Sequence, residues 1–152
     1  MNIVIRTALA ATLAMALPLA AHACPDYGLN GQVLSYSSDA AWTPRAHNVI
    51  AGGPVNLGGC SMPGYGHVAT APDFTLNFTA NGAGRALEFR VEGNCDTLLL
   101  VNDARAGWHF NDDDTGVDPR IRIERAPEGV YDIWVGTFDS ATCSARLIVE
   151  TF

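Results

Sequence analysis

The residues best suited to chemistry are acidic and lie close together, between positions 96 and 118. This segment holds six aspartates, and Arg105 is its only fixed positive charge. Carboxylate and amide oxygens are the ligands that Ca2+ prefers, and the ion takes about six to eight of them. A hairpin around residues 104–107 would let several of these side chains converge. The sequence thus predicts a calcium site whose ligands are Asp103, Asp112, Asp114, Asp118 and Asn111.

Other features of the same segment leave an alternative open. The spacing is not that of an EF-hand, because Gly116 and Ile123 occupy positions where that loop needs oxygen ligands. Asp and Asn side chains also shape and cap turns in solvated loops. Structural aspartates without a cation are therefore the other interpretation, and the favoured one.

Two tryptophans are the next candidates. Trp134 alternates with Tyr131 and Ile133, so it falls on the opposite face of a strand and is expected to be partly exposed. Exposed Trp and Tyr suit carbohydrate or peptide binding, which makes Trp108 and Trp134 candidate binding residues. The favoured interpretation, however, is that both indoles pack in a second layer of the fold, since Trp is highly buried on average.

Catalytic motifs are absent from the sequence. There is no Gly-x-Ser-x-Gly elbow, and His47, His67 and His109 do not stand at the spacing of zinc ligands. We therefore predict that the protein is not an enzyme.

Four cysteines, Cys24, Cys60, Cys95 and Cys143, predict two disulfides in an exported chain. Of the possible pairings, Cys24–Cys60 and Cys95–Cys143 are favoured, because each would close one half of the chain. A metal site is less favoured, since the chain has no Cys-x-x-Cys motif.

The first 23 residues have the pattern of a secretory signal peptide. A short segment with Arg6 precedes an Ala- and Leu-rich stretch, and Ala21-His22-Ala23 is an Ala-x-Ala cleavage site. Cleavage before Cys24 predicts a periplasmic or secreted protein. His22 is too bulky for a lipidation signal, so a lipoprotein is not expected. No other stretch is long and apolar enough to predict a transmembrane segment.

The charge balance narrows the choice of partners. The whole chain has nine Lys plus Arg, all of them Arg, against 16 Asp plus Glu, and Arg6 lies in the predicted signal peptide. The mature chain thus carries a formal charge of −8. An acidic surface disfavours nucleic acid and anionic membranes, which leaves an unknown protein or glycan as the expected partner.

Period-two patterning predicts an all-β fold. Phe74, Leu76 and Phe78 share one face of a strand, and similar alternation recurs around residues 87–91, 120–124, 131–135 and 145–150. Residues 97–101 are apolar on both faces, which predicts a central, fully covered strand. Short strands are also predicted at 32–36, 47–50 and 55–57. The pattern indicates one β-sandwich or barrel domain over residues 24–152, with a loop-rich part at 24–71 and a regular core at 72–152.

Several segments resemble the bacterial pre-peptidase C-terminal (PPC) domain. Residues 96–103 are similar to its central "D-t-x-L-x-L-x-D" strand, and residues 110–116 to the "x-N-D-D-x-x-G" loop that follows. Residues 72–78, 87–91, 118–121 and 129–138 resemble other strands of the family in the same order.

The resemblance implies a jelly-roll-like antiparallel β-sandwich of the kind that accompanies secreted peptidases, sometimes with bound calcium. We expect no catalytic domain beside it, because residues 24–71 are too few to form one. We therefore expect an exported, non-catalytic binding or accessory module stabilised by Ca2+. The alternatives are a carbohydrate- or peptide-binding module that uses exposed aromatics, and a peptidase-associated factor.

Overall fold

The computed structural model describes residues 24–152. The predicted signal peptide, residues 1–23, lies outside the described residues. Among residues 24–152, no helix combines the length and the apolar character that crossing a membrane requires.

Short strands joined by turns make up most of the described chain, apart from two single-turn 3-10 helices at Ala40–Trp42 and Leu57–Gly59. In chain order the strands are β1 Gln32–Ser37, β2 Arg45–Ala51, β3 Val55–Asn56, β4 His67–Val68, β5 Phe74–Thr79, β6 Leu87–Gly93, β7 Thr97–Asn102, β8 Trp108–Asn111, β9 Arg120–Ile123, β10 Gly129–Thr137 and β11 Cys143–Thr151. The three strands predicted in the loop-rich part correspond to β1, β2 and β3.

The strands form two sheets that pack face to face. The larger sheet has the order β1-β5-β10-β7-β8, with β4 and then β3 added beside the end of β10, and the smaller sheet has the order β2-β11-β6-β9. Almost all pairings are antiparallel, but β1 pairs with β5 in parallel. The predicted all-β sandwich is confirmed.

The main core lies between the two sheets. Period-two alternation turns one side of each strand inward, as the sequence predicted for Phe74, Leu76 and Phe78. Buried apolar side chains from the other strands, such as Phe89 and Val101, complete this layer. The inner layer is therefore the direct product of the sequence pattern.

A second apolar cluster covers the outer face of the larger sheet. Leu98 and Leu100 of β7 and Trp134 of β10 pack there against Val55, Leu57 and Val68 from the N-terminal part. All six residues of β7 are buried as a result, which confirms the predicted covered strand. Residues 55–68 lie in the part of the chain that was predicted to be loop-rich. They cover the outer face of the larger sheet and are called the covering segment below.

Both favoured disulfide pairings are confirmed. Cys24 pairs with Cys60 at a Cα–Cα distance of 5.8 Å and ties the start of the described residues to residues 55–68. Cys95 pairs with Cys143 at 6.3 Å, joining the β6–β7 connection to the start of β11. Each disulfide restricts the unfolded chain and thereby raises the free energy of unfolding, typically by about 2–4 kcal/mol.

Candidate functional site

The β7–β8 hairpin separates the aspartates that were expected to converge. Asn102 pairs with Trp108 at the turn, and Leu99 pairs with Asn111 at the other end of the hairpin. Asp103 therefore begins the turn opposite Gly107, whereas Asp112 follows the far end of β8, roughly 16 Å of strand away. The hairpin predicted around residues 104–107 forms, but it does not bring Asp103 to the loop at residues 112–118.

Asp103 closes its own turn. Its carboxylate accepts hydrogen bonds from His109 Nε2 at 2.7 Å and from the backbone N–H groups of Arg105 and Gly107, both at 2.8 Å. Burial acts to raise the pKa of Asp103, but these hydrogen bonds outweigh it and the pKa is lowered. The ionised carboxylate thus stabilises the turn and orients the imidazole of His109.

The other predicted ligands also have partners inside the protein. Asn111 Oδ1 accepts from the backbone N–H of Arg120 at 2.9 Å, and Asp118 Oδ1 accepts from that of Gly93 at 3.1 Å. Asp114 pairs with the Arg120 guanidinium at 2.9 Å. Asp112 accepts from the hydroxyl of Tyr65.

These partners decide how well the residues fit a calcium ion. Within residues 24–152, no three His, Cys, Asp or Glu side chains are placed to share one metal ion. A calcium shell needs several oxygens aimed at one point, whereas these oxygens are aimed at protein donors. The arrangement of the predicted ligands does not fit the ion, and their visible role is to hold turns.

Trp134 is not partly exposed, and the second-layer packing that was favoured for it is confirmed. It does lie on the opposite face from Tyr131 and Ile133, but its side chain is completely buried because the covering segment at residues 55–68 packs over it. Its indole lies against that of Trp108, with ring centres 5.5 Å apart. Trp134 therefore packs beneath Trp108, and of the two tryptophans only Trp108 is accessible to solvent.

Trp108 belongs to a continuous group of aromatic side chains, here called the aromatic row, along β8 and the adjoining loops. Its members are Tyr27, Trp108, Phe110, Tyr65 and Phe138. Tyr27 packs against Trp108 with ring centres 6.0 Å apart, and Tyr65 lies 5.2 Å from Phe110 and 5.7 Å from Phe138. Trp108 and Phe110 share one face of β8, about 7 Å apart along the strand. The row therefore runs the length of this edge strand.

The row is open to solvent at both ends. Tyr27 is 56% exposed, Tyr65 44% and Phe138 48%, while Trp108 and Phe110 between them are half-buried. Large aromatic side chains exposed as a contiguous group are typical of interaction surfaces. The half-buried rings in the middle give the surface a fixed shape.

Two glycines place Tyr65 in the row. Gly64 and Gly66 both have left-handed backbone conformations, with φ of 110° and 88°. A Cβ at Gly64 would lie 2.3 Å from the ring of Phe110, so only glycine allows this close approach. The Gly-Tyr-Gly sequence therefore serves to seat the tyrosine ring on the edge strand.

Sequence reasoning identified one residue of the row, Trp108, and missed the others. Phe110 had a usable signal, because it stands two positions from Trp108 and must share its face. The glycines on either side of Tyr65 were a second signal, because glycine marks positions where the backbone approaches another group closely. Tyr27 and Phe138 join the row through folding of distant segments, which no local pattern indicates.

Carboxylates surround one end of the row. Burial and repulsion from Asp113, Asp112 and Asp139 raise the pKa of Asp96. The hydrogen bond to Asp112, followed by burial and the nearby acids, likewise raises the pKa of Tyr65. Asp96, Asp112 and Asp113 therefore act on the tyrosine, and Asp139 acts on Asp96.

No protein-family model matches this chain, and no curated protein is detectably similar to it. The resemblance to PPC domains therefore rests on the residues quoted above.

Proposed function

We propose that this chain is an exported, non-catalytic binding module of the accessory kind, and that the aromatic row is its ligand-contacting surface. The observation that carries the proposal is the row itself, which presents three exposed and two half-buried rings along one edge strand. Aromatic rings contribute much contact area at a low cost in side-chain entropy, which is why they dominate binding surfaces.

Export is supported by the two disulfides. Structural disulfides persist in oxidising compartments, and the pairs Cys24–Cys60 and Cys95–Cys143 fit an extracellular or periplasmic protein. The Ala-x-Ala sequence before Cys24 supports the same conclusion.

The resemblance to PPC domains supports an accessory role beside a secreted enzyme. Such a role needs a surface for a partner and no catalytic residues. The Asp103–His109 pair is explained by the turn that it closes, so it does not require a catalytic interpretation.

Trp108→Ala tests the proposal. The mature oxidised protein should be screened against arrays of glycans and peptides, and we expect Trp108→Ala to weaken the binding of any ligand found. Trp42→Ala is the matched control, because Trp42 is 57% exposed but stacks on Arg85 away from the row. Equal loss in both variants, or no loss with Trp108→Ala, would contradict the proposal.

A further inference from the structure

Four aspartates form an acidic rim around the Tyr65 end of the aromatic row: Asp96, Asp112, Asp113 and Asp139. Asp112 accepts a hydrogen bond from the Tyr65 hydroxyl, and Asp113 follows it in the chain. The backbone N–H of Phe138 donates to the Asp96 carbonyl at 3.1 Å, which holds the second exposed ring beside that residue. Asp139 follows Phe138. Rings and carboxylates therefore occupy the same end of the molecule.

The rim has no internal counter-charge. Within residues 24–152, none of the four aspartates takes part in an ion pair. The outer face of the smaller sheet shows the opposite arrangement. There Arg90 pairs with Glu88 and Glu150, and Arg146 pairs with Glu92. Acidic charge is neutralised on that sheet and left free at the end of the row.

We propose that the acidic rim and the exposed rings of Tyr65 and Phe138 together bind a positively charged polypeptide segment, one that presents Arg or Lys side chains. This inference rests on the proposed function, because it names the ligand class of the same aromatic row. Guanidinium and ammonium groups stack on aromatic faces and pair with carboxylates, so one basic side chain satisfies both features of the surface.

The surroundings favour this occupant over others. A single divalent ion is a poor fit, since no three metal-ligating side chains converge in the described residues. A second copy of the chain is also a poor source of positive charge. The sequence has no Lys, and five of the eight Arg in residues 24–152 are already in ion pairs. A different protein that is rich in Arg or Lys is therefore the better source of complementary charge.

The double variant Asp113→Asn/Asp139→Asn is the sharpest probe of the rim. The hydrogen bonds that these residues accept, from Asn111 and Thr137, go to backbone carbonyl oxygens, so removing the charges leaves those bonds in place. Glu124→Gln/Glu128→Gln is the matched control. It removes the same amount of charge from two exposed residues on the β9–β10 connection, and it also breaks the ion pair of Glu124 with Arg122.

The experiment measures the dissociation constants of fluorescein-labelled peptides of alternating Arg and Ser, and of Glu and Ser, by anisotropy at low and at physiological ionic strength. We expect the Arg–Ser peptide to bind the unmodified protein, with an affinity that falls as salt rises. The rim variant should bind it about tenfold more weakly, whereas the control variant should bind it as the unmodified protein does. Tyr65→Ala should also weaken binding.

Two outcomes would overturn the inference: an Arg–Ser peptide that binds no better than the Glu–Ser peptide, or a rim variant that binds as tightly as the unmodified protein. The proposed function fails separately. Suppose that Trp108→Ala weakens the binding of an uncharged ligand from the arrays while the Arg–Ser peptide does not bind. The row then binds ligands, and only the inferred selectivity for positive charge is wrong.

Discussion

The hydroxyl of Tyr65 donates a hydrogen bond to the carboxylate of Asp112. The two residues stand 47 positions apart, and their contact joins the segment that covers the larger sheet to the loop after β8. It links the exposed end of the aromatic row to the acidic rim. Both proposals about this surface depend on that contact.

This contact predicts a spectroscopic signature. The hydrogen bond to Asp112, with burial and the nearby acids, raises the pKa of Tyr65, because a phenolate there would face carboxylates. Asp112→Asn should therefore lower the pKa of this tyrosine. The measurement is an ultraviolet titration of phenolate absorbance, with Tyr65→Phe identifying the contribution of Tyr65. An unchanged titration in Asp112→Asn would show that the contact is absent in solution.

Gly64→Ala should disturb the row without touching its aromatic side chains. Alanine in a left-handed conformation costs about 1–2 kcal/mol, and its Cβ would meet the Phe110 ring. We expect a lower melting temperature and a more mobile Tyr65, seen as sharper ring signals in the nuclear magnetic resonance spectrum. Gly82→Ala is the control, since Gly82 also has a positive φ, 68°, but a Cβ there meets nothing within 4 Å. Equal losses in the two variants would mean that only backbone strain matters.

Asp73 should make the protein less stable as the pH rises. Burial raises its pKa to about 7 from the ordinary value of 3.8, although the hydrogen bond from the Val135 N–H acts in the opposite direction. Between about pH 4 and pH 7 the folded state thus holds a proton that the unfolded state has lost. The free energy of unfolding falls across this range and then levels off, by about 2–4 kcal/mol in all.

Asp73→Asn tests this prediction, because an amide oxygen can still accept the bond from Val135 but cannot ionise. Urea unfolding at a series of pH values should show that the variant gains stability over the unmodified protein above pH 7 and matches it near pH 4. Asp139→Asn, at an exposed position, should leave the slope unchanged. If the free energy of unfolding of Asp73→Asn still falls between pH 4 and pH 7, another group causes the pH dependence.

Calcium offers a direct test of the acidic loop. A site built from Asp103, Asp112, Asp114, Asp118 and Asn111 would raise the melting temperature in Ca2+ relative to chelator. The observed partners of these residues predict coincident melting curves instead. If calcium does raise the melting temperature, and Asp112→Asn/Asp114→Asn abolishes the rise, then the loop rearranges around the ion.

The sequence by itself determined the strands and their inward faces. Phe74, Leu76 and Phe78 alternate with polar residues, and side chains two apart on a strand must share a face, so local pattern was sufficient. The same reasoning predicted that β7 would be covered on both sides. The disulfide pairing followed from the position of each cysteine along the chain.

Only the tertiary structure decided what lies over each face and which loops meet. Alternation places Trp134 on the outer face of β10 but cannot show that residues 55–68 cover it. The aspartates are close together in the sequence, between positions 96 and 118. The register of the β7–β8 hairpin nevertheless places Asp103 and Asp112 at opposite ends of that hairpin. Tyr65 reaches Asp112 through packing between segments far apart in the chain. Such contacts depend on how whole elements fold together, and local periodicity carries no information about them.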